Sequence, residues 1–108
     1  MITQQRENDL SQISVFREFG RGAAMRSVKV IVDGRKVGKV KQMENCDVPV
    51  SPGRHTVRCE MDWIGSQSVT VDVEAGQSVS LVCRVRGLKK LSQLSTKNSD
   101  LIELQVSD

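Results

Sequence analysis

Tyrosine is absent, and the aromatic side chains amount to Phe16, Phe19 and Trp63. Sugar sites and base-stacking surfaces are both built on aromatic faces. The scarcity leaves Trp63 as the one ring suited to a sugar platform and gives no expectation of a specific nucleic-acid partner. Histidine occurs once, as His55. The cysteines, Cys46, Cys59 and Cys83, are odd in number and widely spaced, with no C-x-x-C pair. That spacing excludes a zinc-finger ligand set and offers no framework of bridges. Reduced, mostly buried thiols in a cytoplasmic protein are expected, with a bridge between two of them only if the chain is exported. Residues 1–10 are polar and lack the apolar segment of a signal peptide. No stretch approaches the ~18 apolar residues that span a bilayer. Also missing are G-x-G-x-x-G, the P-loop, G-x-S-x-G and the acidic calcium loop.

What is present is a chain of 108 residues, enough for one domain, with 38% hydrophobic residues and a formal net charge of +3. The basic residues are spread, with two denser stretches: Arg35, Lys36, Lys39 and Lys41, then Arg84, Arg86, Lys89 and Lys90. Their first reading is solvated strand edges, where lysine also blocks edge-to-edge aggregation. Their second is a docking surface for an acidic partner.

Alternation with period two dominates the middle of the chain. Val28, Val30 and Val32 share one face of a strand, and Asp33-Gly34 follows at once. A DG pair between two β-rich runs is a strong hairpin signal, because both turn positions take φ > 0 at low cost. Residues 35–40 return as the next strand, with Gly38 as an expected bulge or kink. Glu44-Asn45 reads as a turn. Residues 46–50 then form a short strand that Pro49 confines to an edge or an end. After the turn at Ser51-Pro52-Gly53, His55, Val57, Cys59 and Met61 alternate with Thr56, Arg58 and Glu60. Residues 62–66 read as a loop, and Val69, Val71 and Val73 as a strand. Following Glu74-Ala75-Gly76-Gln77, Val79, Leu81, Cys83 and Val85 mark a seventh strand. A first strand runs through Ile13, Val15 and Arg17, with Gly20–Arg26 as a loop.

Strands recurring every ~8–12 residues without intervening helices argue for an all-β fold. The expected architecture is a single seven- to eight-stranded, mostly antiparallel β-sandwich over residues 11–86. Residues 1–10 are a flexible lead-in. Residues 87–108 are a polar tail that could hold a short helix at Leu88, Leu91 and Leu94 and a late strand at Leu101, Ile102, Leu104 and Val106.

The stretch from Val28 to Cys83 resembles a bacterial domain of unknown function with a PEGA-like, prealbumin-like β-sandwich. The residues that carry the resemblance are Asp33-Gly34 with Val37-Gly38, Pro52-Gly53-Arg54-His55-Thr56, Asp62-Trp63 with Ser66, and Glu74 with Gly76 and Val79. It implies a prealbumin-like fold, no catalytic residues and no settled ligand. Many such domains are appended to membrane-spanning segments, which this sequence lacks.

No candidate residue assembles a reaction centre in the sequence. His55 reads as a buried ring bonded to a backbone carbonyl rather than a general base. Beside Cys59 it lacks the exposed, electropositive setting of a catalytic thiol. Trp63 reads first as a plug at one end of the sandwich and second as an exposed anchor for a partner, with Ser66 capping the same loop. The expected function is therefore a non-enzymatic protein-interaction or scaffold domain, monomer or weak dimer, with no metal and no cofactor. The candidate binding residues are Trp63, Ser66, Arg35, Lys36, Lys39 and Lys41. The alternatives are a carbohydrate or cell-envelope binding module using Trp63 and a weak anionic-surface binder using the basic stretches.

Overall fold

The computed structural model describes residues 11–19, 26–61, 64–85 and 102–107. They form nine strands: β1 (Ser11–Arg17), β2 (Val28–Val32), β3 (Arg35–Val40), β4 (Asn45–Val50), β5 (Gly53–Met61), β6 (Ile64–Gly65), β7 (Val69–Val73), β8 (Ser78–Val85) and β9 (Ile102–Ser107). One sheet, A, has the order β4-β1-β8-β9; the other, B, runs β3-β2-β5-β6, with β7 also paired to β5. All pairings are antiparallel except β1 with β8.

The apolar positions of the alternation face one another between the sheets. Ile13, Val15, Leu81 and Cys83 from sheet A meet Val28, Val30, Val57 and Cys59 from sheet B, and all eight have no exposed surface. At roughly 25 cal/mol per Å² of apolar surface removed from water, this interior is the main source of stability.

Turn chemistry places the strand ends. Asp33 (φ 53°) and Gly34 (φ 81°) both occupy the left-handed region, as a two-residue hairpin with the right-handed twist of its strands requires. Pro49 lies on β4, an edge strand of sheet A, where the missing N–H breaks no ladder.

Several elements differ from the sequence reading. The turn expected at Glu44-Asn45 falls at Gln42-Met43 instead. Met43 takes φ 63°, and the Glu44 carboxylate accepts the Lys41 N–H at 2.9 Å. Asn45 is thereby released to begin β4. Within the expected loop 62–66, Ile64–Gly65 adds a two-residue strand against Glu60 and Met61. The late strand exists as β9 and belongs to the sandwich: it pairs along β8 from Ser80 to Val85 and inserts Ile102 into the core. The expected short helix, the lead-in and the Gly20–Arg26 loop as far as residue 25 lie outside the described residues.

Arg17 is the unusual member of the core. It continues the inward face of Ile13 and Val15 and is only 1% exposed. Its Nη1 donates to the carbonyls of Arg26 and Val40, which offsets part of the cost of burying a guanidinium.

Candidate interaction surface

The β2–β3 hairpin is registered by Val28 against Val40, Lys29 against Lys39 and Val30 against Gly38. The register then shifts, and Ile31 faces Lys36. Val37 is the extra residue of a β-bulge. Residues three apart on a regular strand point to opposite faces. The bulge absorbs one position and returns Lys36 and Lys39 to the same outward face, beside Lys29.

All three lysines are exposed. Among the described residues none of them takes part in an ion pair or side-chain hydrogen bond, whereas Arg54 and Arg58 on β5 are engaged. Arg58 lies 2.7 Å from Glu60, and Arg54 lies 3.2 Å from Asp72. Glu60 is the register neighbour of Lys29, and its carboxylate is already committed to Arg58. Ile31 shares the outward face yet is only 6% exposed. Its register neighbours are Lys36 and Arg58, whose aliphatic stems are long enough to cover it while their charges stay in water.

The structure separates the other sequence candidates. Arg35 is exposed at the start of β3 and Lys41 just past its end, both outside the row of three lysines. Ser66 is buried and spent inside the fold: its Oγ accepts the Cys59 N–H at 2.8 Å and donates to the Gln67 carbonyl at 2.9 Å. It is a cap rather than a contact surface. Trp63, like Asp62, lies outside the described residues. Lys29 escaped the sequence reading because it stands alone between valines. The signal was its place on the outward parity of β2, opposite a basic strand.

A polar brace holds the tip of this hairpin to β5. The His55 Nδ1 is 2.7 Å from Asp33 Oδ2, and its Nε2 is 2.7 Å from the Ser51 carbonyl oxygen. The Thr56 N–H donates to Asp33 Oδ1 at 2.9 Å. The carbonyl contact matches the expected role of the ring; the carboxylate contact does not follow from sequence. Two acceptors on one imidazole favour the doubly protonated ring. The hydrogen bond to Asp33, then that to Ser51, raises the His55 pKa above the usual 6.5. The same bond, with that from Thr56, lowers the Asp33 pKa below the usual 3.8.

A raised histidine pKa contributes stability that is complete below 6.5 and is lost as pH climbs through the raised value. A depressed Asp33 pKa contributes stability present above 3.8 and lost as pH falls through the lowered value. The brace is therefore strongest between these limits. Wild-type protein is expected to lose more stability than His55→Gln between about pH 6 and about pH 9 in urea titrations. Parallel curves for the two proteins would exclude the charged brace.

Elsewhere, a groove of about 530 Å³ lies between β7 and β8–β9, lined by Thr70, Asp72, Ser78, Ser80 and Val106 among others. It gathers none of the basic residues. Among the described residues no group of three or more His, Cys, Asp or Glu could hold a metal ion, and no helix is long and apolar enough to cross a membrane. Comparison with protein-family models, with curated proteins and with solved structures found no match.

Proposed function

We propose that this protein is a non-enzymatic interaction domain that docks an acidic segment of a partner protein on the outer face of sheet B. The observation that carries the reading is the row of Lys29, Lys36 and Lys39 on the bulged hairpin, unpaired among the described residues. Like charges directly opposite on neighbouring strands destabilise a sheet, and Lys29 faces Lys39. An anionic partner relieves that repulsion, so binding gains from it. The brace at the hairpin tip keeps the lysines on a rigid support, which limits the entropy lost on docking. A reducing, cytoplasmic setting suits the three free thiols. The resemblance to the PEGA-like family supports the same reading, since it carries no catalytic residues.

The test is titration of an Asp/Glu-rich peptide of about a dozen residues at low salt, comparing two variants of equal charge. Lys36→Gln/Lys39→Gln is expected to weaken binding about tenfold or more, or roughly 1.4 kcal/mol. Arg35→Gln/Lys41→Gln removes the same charge outside the row and is expected to have a smaller effect. Equal losses would reduce the effect to net charge and sink the proposal. Tighter binding of duplex DNA or anionic vesicles than of the peptide would replace it with the anionic-surface alternative.

A further inference from the structure

The outer strands of the two sheets are guarded unequally. The β3 edge carries a bulge and the exposed Lys36 and Lys39, and the β4 edge carries Pro49. Bulges, lysine and proline are the usual means of stopping a strand edge from pairing with another chain. β7 has none of them. Its ladder with β5 runs without a break from Val69 to Val73, and its sequence has neither proline nor a cation. Among the described residues nothing pairs with its other side.

The core is also open beside β7, where the groove of about 530 Å³ separates it from β8 and β9. The β8–β9 ladder begins at Ser80, so Ser78 and Val79 have a partner only on β1. Val79 and Val106 follow the inward alternation of their strands. Yet Val79 is only partly buried, and Val106 is 48% exposed. The one charged side chain lining the groove, Asp72, is already held by Arg54 at 3.2 Å.

We infer that β7 pairs with β7 of a second copy of this chain, joining two B sheets edge to edge about a two-fold axis at Val71. The register follows from the sequence. In a two-fold antiparallel pair that keeps both inner faces on one side, the axis passes through one residue, which faces its own copy. An axis at Asp72 would set two aspartates directly opposite, which destabilises a sheet. An axis at Thr70 lies off centre and leaves Val73 facing no strand residue. The axis at Val71 pairs all five positions, Val69 with Val73 and Thr70 with Asp72. Valines then meet valines on the inner face. On the outer face a hydroxyl donor stands opposite a carboxylate acceptor.

The same axis closes the groove. Val71 and Val106 line it together, so the exposed Val106 of each copy is carried toward the axis and covered. Lys29, Lys36 and Lys39 lie on β2 and β3, toward the opposite edge of sheet B. The pairing is therefore independent of the docking face, and one dimer presents two such rows.

Sedimentation equilibrium in reducing buffer, from about 1 μM to about 1 mM, tests the pairing. The wild-type chain is expected to shift reversibly from 12.0 kDa to twice that mass. Thr70→Asp sets a carboxylate opposite the partner's Asp72 at two places and is expected to weaken the dimer about five- to tenfold. Thr70→Lys sets a cation there instead and is expected to leave the dimer at least as tight, which a general edge-blocking effect of lysine would not give. Val106→Asp is expected to weaken it about tenfold or more. Val37→Asp alters a valine of similar exposure on β3 and is expected to change nothing. All these positions are exposed, and urea midpoints in dilute solution check that each variant folds. A monomer at every concentration would overturn the inference, as would masses that keep rising beyond the dimer. So would equal weakening by Thr70→Asp and Thr70→Lys, or a dimer lost in Val37→Asp and kept in Val106→Asp.

Discussion

Replacing Leu81 with alanine is expected to lower the folding free energy by about 2–5 kcal/mol. Leu81 has no exposed surface and sits on β8, between Val15 of β1 and Val106 of β9. It faces the other sheet from an internal strand, so the cavity left behind has little freedom to collapse. Domains of this size are held by roughly 5–15 kcal/mol, and the loss is a large fraction of that. Urea denaturation measures it: the midpoint should fall while the slope stays constant. Val79, two residues earlier on the same strand, is only partly buried, and its alanine variant should lose clearly less. Equal costs at the two positions, or a Leu81→Ala cost below about 1 kcal/mol, would mean that β8 does not sit at the centre of a close-packed sandwich.

Gly38→Ala is expected to destabilise by about 1–3 kcal/mol, although the added group is a single methyl. A Cβ at Gly38 would sit 2.7 Å from the Cys46 sulfur. Gly38 is not among the glycines with positive φ, so the requirement is for space and not for backbone freedom. Cys46 reaches this point from β4, at the edge of the opposite sheet, and closes that side of the core over the hairpin. Cys46→Ala removes the obstructing sulfur. In Gly38→Ala/Cys46→Ala the two costs should therefore fail to add, with a coupling of about 0.5–3 kcal/mol. Additive costs would show that the sulfur is not what excludes the methyl group.

Gly38 also illustrates what the linear pattern conveys. A glycine inside a strand suggests a bulge, and the hairpin has one there. The sulfur that demands the glycine belongs to Cys46, eight residues on and in the opposite sheet, and no local pattern announces it. The same holds for His55. Its carbonyl partner, Ser51, is near in sequence, whereas Asp33 is brought in by folding. Of the proposed docking residues, Lys36 and Lys39 were visible as part of a basic stretch. Their shared face with Lys29 depended on a bulge whose position follows from packing.

The amino-acid order alone determined the class of fold, the Asp33-Gly34 turn, the edge position of Pro49 and the inward identity of Val57, Cys59, Leu81 and Cys83. These follow from short-range physics: alternation with period two, positive φ at turn residues and a missing N–H. Alternation states which face a side chain takes and is silent on which strand lies alongside. Only the tertiary structure decided that β1 runs parallel to β8, that β9 completes sheet A and that Arg17 is buried beside Cys83. Those contacts join residues far apart in the chain. They are selected by the packing of two whole sheets, which no window of sequence contains.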